Sequence, residues 1–130
     1  MCKSVLVVDD SPGVRTVVRW HLESEAGLEV CGEASDGVEA IDKALDLSPD
    51  LIVMDFVMPK MNGLEAAREL THKSPRVPII LFTGDLSAVS VSDAIQAGIW
   101  AIVSKHEFHR LLPQVLDVLE RSGQAASATF

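Results

Sequence analysis

The sequence predicts an α/β domain: a mostly parallel sheet with helices covering both faces. Three observations carry that expectation. Short apolar runs recur along the chain, most of them rich in Val, Ile and Leu, as strands buried on both faces must be. The segments between them show the 3.6-residue periodicity of amphipathic helices. Proline, glycine and capping residues fall at the junctions. Five strands alternating with five helices make a parallel sheet with right-handed crossovers the expected solution.

The elements follow in order. Val5–Val8 is the first strand. Ser11 and Pro12 then supply a cap and a first-turn proline for a helix marked by Val14, Val17, Val18 and Leu22. Leu28–Cys31 is the second strand, and Ser35 or Asp36 caps a helix marked by Val38, Ile41 and Leu45. Ser48-Pro49 ends that helix, because the residue before proline avoids the helical region. Leu51–Met54 is the third strand, followed by a helix through Leu64, Ala67 and Leu70. Pro75 and Pro78 bracket the loop before the fourth strand, Ile79–Phe82. A weaker fourth helix runs through Val89, Ala94 and Ile95 and closes at Gly98. Ile99–Val103 is the fifth strand, and Phe108, Leu111, Leu112, Val115, Leu116 and Leu119 mark the last helix. Pro113 sits inside that pattern. Either the helix begins late, with Pro113 in its first turn, or it kinks there. The domain is expected to span residues 1–122, with 123–130 a flexible tail or the start of a linker.

Composition narrows the classes of function. At 130 residues the chain is long enough to bury roughly two-thirds of its unfolded surface in one core. Its 48% apolar and 23% charged residues exclude a disordered or collagen-like chain. No apolar run approaches the roughly 18 residues of a membrane span, and no signal peptide is visible, so a cytoplasmic location is expected. The net charge of −8 argues against direct nucleic-acid binding, which draws its affinity from cations on phosphates. Two cysteines, Cys2 and Cys31, read as reduced thiols, with Cys31 packed as a small hydrophobe. Met1 stands only a few residues before the first strand, which reads as a native amino terminus.

In an open parallel sheet, sites form at the carboxyl ends of the strands. Asp9 and Asp10 follow the first strand, Asp55 the third, Thr83 the fourth and Lys105 the fifth. Taken singly, an Asp in such a place is more often a helix cap, and a Thr or Lys there means little. Together they bring three carboxylates, a hydroxyl and an ammonium to one edge. Clustered carboxylates raise one another's pKa and need counter-charge. A hard divalent cation such as Mg²⁺ supplies it, and with Lys105 it neutralises the three acids. A carboxylate in such a site can attack phosphorus and form an aspartyl-phosphate.

These residues lie in motifs that resemble response-regulator receiver domains of the chemotaxis type. The motifs are Val7-Val8-Asp9-Asp10-Ser11, Leu51-Ile52-Val53-Met54-Asp55 with Met58-Pro59-Lys60-Met61-Asn62-Gly63, Phe82-Thr83-Gly84, and Ala97-Gly98 leading to Ser104-Lys105. The resemblance covers residues 3 to 121. It implies a flavodoxin-like five-stranded sheet in the order 2-1-3-4-5. Asp55 is then the phospho-acceptor. Asp10 and Asp55 hold Mg²⁺, with Asp9 acting through water and the Val57 backbone carbonyl completing the set. Lys105 and Thr83 engage phosphoryl oxygens. The implied donor is a phosphohistidine on a sensor histidine kinase or phosphotransfer protein. The implied output is a reshaped fourth-helix, fifth-strand and fifth-helix face that binds a downstream protein or effector domain. No enzyme activity beyond self-catalysed phosphorylation and dephosphorylation is expected.

The chain departs from the family's pattern in places. His106 stands where proline usually follows the lysine, so a trans bond is expected, with His106 a surface residue at the helix entry. Ile102 stands where the family has a switch aromatic. Trp100, two residues earlier, should share its strand face and reads as a core or interface residue. Val57 and Asp85 should flank the phosphoryl group. Val57 is apolar and cannot position water, so hydrolysis is expected to depend on Asp85 and solvent access.

Other readings compete. A Mg²⁺-dependent phosphatase with an Asp nucleophile would want an acid where Val57 stands. A nucleotide binder would want glycines, not Asp9-Asp10-Ser11, after the first strand. A receiver-shaped docking module that is never phosphorylated is the alternative that Ile102 and His106 keep open. The segment Leu22–Ala34 and the missing proline also resemble receivers that precede LuxR-type DNA-binding modules. The chain is therefore a stand-alone receiver or part of a longer regulator, and a homodimer through the fourth-helix to fifth-helix face is compatible with either.

Overall fold

The computed structural model describes residues 2–127, with side chains described through Gly123. The strands are β1 (Lys3–Val8), β2 (Leu28–Ala34), β3 (Leu51–Met54), β4 (Ile79–Thr83) and β5 (Ile99–Ser104). The helices are α1 (Pro12–Glu23), α2 (Gly37–Leu47), α3 (Gly63–Lys73), α4 (Val91–Gln96) and α5 (Leu111–Ser127). All strand pairs are parallel, in the order β2-β1-β3-β4-β5. This is the flavodoxin-like arrangement, and its order reverses direction at β1 and β3, where ligand crevices form.

The sheet divides the core in two. On one face Leu6, Val8, Ile52, Met54, Ile79 and Leu81 pack against α2, α3 and α4. On the other, Val5, Val7, Val53, Ile80 and Phe82 pack against Val18 and Leu22 of α1 and Leu111, Val115 and Val118 of α5. Alternate residues of one strand thus serve opposite faces, and both faces are apolar. That is why the runs read as continuous rather than alternating.

Local signals act as the sequence predicts at most junctions. Ser11 caps α1 with Pro12 in its first turn, Asp36 rather than Ser35 caps α2, and Ser48 ends α2 in the left-handed region. Gly98 closes α4 at φ +88, and a Cβ there would collide with the Thr71 hydroxyl. The fifth helix begins late. A 3-10 turn, Lys105–Arg110, precedes α5 and places Pro113 in its first turn, so no kink is needed. Phe108 therefore belongs to the turn, not to the helix. The backbone of α5 continues through Ser127 into the expected tail, and residues 128–130 lie outside the described residues.

Three expectations are corrected. Val38 and Leu45 of α2 are 45% and 49% exposed, because Ala40, Ile41 and Ala44 form the buried stripe. The helix lies close over small residues, which a pattern weighted by large side chains misplaces. Val89 precedes the fourth helix: it ends a separate 3-10 turn, Leu86–Ala88, and Ser90 caps α4. The third concerns Trp100: strict alternation along β5 does not relate it to Ile102, although both line a groove beside Ala94 and Ile95 of α4. The β4–β5 register shifts between Ile79 and Ile80, which pair with Ile99 and Ala101 and leave Trp100 as the extra residue of a bulge. Ile99 and Ile102 then pack on the α3–α4 side, and the Trp100 ring lies 5.7 Å from the Arg121 guanidinium of α5.

A second bulge, in β2, leaves Cys31 as the extra residue, its thiol 3.5 Å from the Val5 carbonyl. Burial pushes that thiol's pKa up, so Cys31 is a packing residue with little thiolate character. Cys2 is exposed, and both thiols are free. Among the described residues no helix is long and apolar enough to cross a membrane.

Candidate functional site

The topology alone brings the candidate residues to one edge. Val8 pairs with Met54, so the next residues, Asp9 and Asp55, leave the sheet side by side. Thr83 pairs with Ser104, so Lys105 leaves beside Thr83. Carboxylate oxygens of Asp9, Asp10 and Asp55 all lie within 4.8 Å of one another, Asp9 and Asp55 buried and Asp10 exposed. Lys105 Nζ reaches between two of them, 2.8 Å from Asp9 Oδ2 and 3.3 Å from Asp55 Oδ2.

Each carboxylate is held by its own local structure. Asp9 Oδ1 accepts the Ser11 amide at 2.9 Å, at the start of α1, where unpaired amides favour negative charge. Arg15 Nη1 donates to the Asp9 backbone carbonyl at 2.5 Å while its Nε pairs with Glu33 at 2.9 Å, tying the turn after β1 to β2. The Asp55 loop is braced by α3. The Gly63 amide donates to the Phe56 carbonyl at 2.7 Å, and a Cβ at Gly63 would collide with the Asp55 carbonyl oxygen. Glycine is required because the helix start sits directly on the Asp55 backbone. Asn62 and Glu65 form a reciprocal capping box that fixes this start.

The electrostatics follow. Burial, then the Asp9 charge, raises the Asp55 pKa, with Lys105 opposing. Burial works against the charge on Lys105, but the bond to Asp9 and the attraction of both carboxylates outweigh it, and its pKa rises. Lys105 is therefore a firm cation, and Asp55 a carboxylate under strain from its own neighbourhood. Thr83 is buried at the neighbouring strand end, and its hydroxyl accepts the Asp85 amide at 3.3 Å. It lies beside the acid cluster without joining it. Asp85 caps the Leu86–Ala88 turn, its carboxylate taken up by the Ser87 hydroxyl at 2.5 Å and amide at 3.0 Å. Val57, two residues past Asp55, is 64% exposed.

The family model for the response regulator receiver domain matches residues 5–117. The chain belongs to that family. A chemotaxis protein CheY from Thermotoga maritima is 40% identical over 98 residues, covering 75% of this chain and 81% of the relative. A protein-glutamate methylesterase/protein-glutamine glutaminase from Myxococcus xanthus is 45% identical over 103 residues, covering 78% of this chain. The receiver spans only 29% of that relative, and 28% of another such protein, from Geobacter metallireducens. Among solved structures, the response regulator domain of Thermotoga maritima CheB superposes with a TM-score of 0.82 at 32% identity, covering 94% of this chain and 96% of that one. A LuxR-family response regulator from Aurantimonas superposes at 0.86 and 30% identity, covering 92% and 86%.

In this receiver the acids and the lysine converge as sequence reasoning placed them. Other contributors were out of its reach. His106 is exposed, as expected of a helix-entry residue, yet its Nε2 lies 3.1 Å from the Gly84 carbonyl, across the site's rim. No cis peptide bond occurs among the described residues. Arg15 and Gly63 are also structural members of the site. Only Gly63 carried a signal, as part of the Asn62-Gly63 motif.

Proposed function

We propose that the receiver is a phosphorylation switch in which Asp55 accepts a phosphoryl group from a phosphohistidine donor. The observation that carries this reading is Lys105 held between buried Asp9 and Asp55 at 2.8 and 3.3 Å. Such a cation would meet the charge that develops on phosphoryl oxygens. In the transfer the P–N bond of the donor breaks, a bond forms between phosphorus and an Asp55 oxygen, and the imidazole leaves with a proton. A groove of about 500 Å³ lined by Ser11, Val14, Phe82, Lys105 and Phe108 opens beside the lysine and would give a donor side chain its approach.

The donor set suits Mg²⁺: three carboxylates with oxygens within 4.8 Å, one of them exposed to solvent for retained waters. Asp10 and Asp55 would ligate it, Asp9 through water, with the Val57 carbonyl completing the protein ligands. When bound, the ion offsets charge between acceptor and phosphoryl group. Lys105 and Thr83 would take the remaining phosphoryl oxygens. The partners are a sensor histidine kinase or phosphotransfer protein on the input side and a protein or effector domain on the output side, in the cytoplasm. The activity proposed for these residues is self-catalysed phosphorylation and dephosphorylation.

The test is incubation with acetyl phosphate, with Mg²⁺ or a chelator, for wild type and Asp55→Ala, read on a phosphate-affinity gel. A Mg²⁺-dependent shift lost in the variant is expected. A folded wild type that never shifts would replace this reading with a docking module that is not phosphorylated.

A further inference from the structure

Backbone pairing between β4 and β5 ends where Thr83 faces Ser104. Two loops leave the sheet there, one through Gly84 and Asp85, the other through Lys105. Two side-chain contacts carry the pairing further. His106 Nε2 lies 3.1 Å from the Gly84 carbonyl and donates to it as the Nε2–H tautomer or the imidazolium. The backbone of the same residue is pinned, because its amide donates to Ser104 Oγ at 3.1 Å. Below, Phe108 meets Phe82 edge-on, with ring centroids 5.7 Å apart, and His21 of α1 backs it at 4.7 Å. Phe82 and Gly84 are the residues on either side of Thr83. The turn after Lys105 therefore grips the end of β4 on both sides of the hydroxyl residue.

We propose that His106 and Phe108 form a clamp that fixes Thr83 relative to Lys105, making His106 a positioning residue for phosphoryl transfer. This rests on the reading of Asp55 as the acceptor. Lys105 is already placed by two carboxylates. Thr83 has the long bond from the Asp85 amide, 3.3 Å, and its position is otherwise that of its backbone. Donors held in place before the reaction need no reorganisation as charge develops, so holding that backbone accelerates the transfer. A proline at 106, usual in the family, would offer the Gly84 carbonyl no donor. The clamp is therefore specific to a histidine or a similar donor here. The His106 ring is exposed, so its replacement leaves the core intact.

The experiment measures the rate of phosphorylation by acetyl phosphate at saturating Mg²⁺, and Mg²⁺ affinity by calorimetry. The proteins are wild type, His106→Ala, His106→Gln, Thr83→Ala and the double variant with His106→Ala and Thr83→Ala. His106→Ala should slow phosphorylation about 2- to 10-fold, the range for one net hydrogen bond, with Mg²⁺ affinity unchanged. His106→Gln, which keeps an N–H donor, should recover most of the rate. In the Thr83→Ala background His106→Ala should cost nothing further, because the clamp acts through Thr83. Equal rates for wild type and His106→Ala, or the same slowing with and without Thr83, would overturn the clamp and leave the acceptor reading standing. A wild type that is not phosphorylated would overturn both.

Discussion

Replacing Asp55 with Asn should stabilise the protein at neutral pH in the absence of divalent ions, although it deletes an ion pair. At an effective dielectric of about 20, the Lys105–Asp55 attraction at 3.3 Å amounts to about 5 kcal/mol, and the Asp9–Asp55 repulsion at up to 4.8 Å to about 3.5 kcal/mol. Coulomb terms alone favour the charged Asp55 by at most about 1.5 kcal/mol. Removing a carboxylate from water costs several kcal/mol even after relaxation, which reverses the sign. The raised pKa of Asp55, with burial as its first cause, agrees. Asparagine keeps the shape and loses the charge, so a gain of about 1–2 kcal/mol is expected, or about 3–6 °C in Tm for a domain of this size. The pH dependence gives the sharper test. Because the folded-state pKa is raised, the penalty is absent below the ordinary aspartate range near 3.9, where Asp55 is protonated in both states. It grows as pH rises through the raised value and is constant above it. The assay is urea unfolding of both proteins in chelator from pH 3.5 to 8, provided each remains two-state. An Asp55→Asn variant less stable than wild type at pH 7, or an advantage that does not vanish in acid, would refute the reasoning.

Lys105→Met should act in the opposite direction. It leaves Asp9 and Asp55 facing each other without a cation and should cost about 2–4 kcal/mol at pH 7, the low end for a broken buried pair because the lysine is partly exposed. Lys105 has a raised pKa, so its stabilisation is full below the ordinary lysine value of about 10.4 and lost as pH rises through the folded-state value. That alkaline limb should be missing from the variant's unfolding curves. Gly98→Ala tests the turn between α4 and β5. It places a Cβ at φ +88 against Thr71 and should cost about 2–3 kcal/mol in urea unfolding.

Much of this was legible because it is governed by local pattern and by one topological rule. Each strand announces itself as an apolar run, and a parallel sheet sends every carboxyl end to the same edge. Asp9, Asp55, Thr83 and Lys105 could therefore be grouped without coordinates. What was hidden depends on distances between loops or on a single inserted residue. The bulge at Trp100 adds no signal to the sequence, yet it breaks the period-2 alternation that would relate Trp100 to Ile102. The buried stripe of α2 joins Ile41 to Ala40 and Ala44, small residues that periodicity underweights against Val38 and Leu45. The His106–Gly84 bond joins residues 22 positions apart on two loops, and no sequence spacing encodes that.

The lack of an aromatic at Ile102 leaves the proposed switch with another route out of the site. An acceptor that gains a phosphoryl group gains about one negative charge, which the lysine and a divalent ion no longer cancel. A dipole at the neighbouring strand end is the Thr83 hydroxyl. It accepts the Asp85 amide through a lone pair, so its proton remains free to be donated. Donating it toward the phosphoryl oxygens polarises the hydroxyl and strengthens the bond it accepts, because linked hydrogen bonds reinforce one another. The pull then falls on Asp85, the cap of the Leu86–Ala88 turn, whose last amide-bonded residue, Val89, is buried in the core beside α4. On the proposed reading the signal reaches α4 along this turn, through hydrogen bonds and one buried valine, and a rotating ring at position 102 is not required.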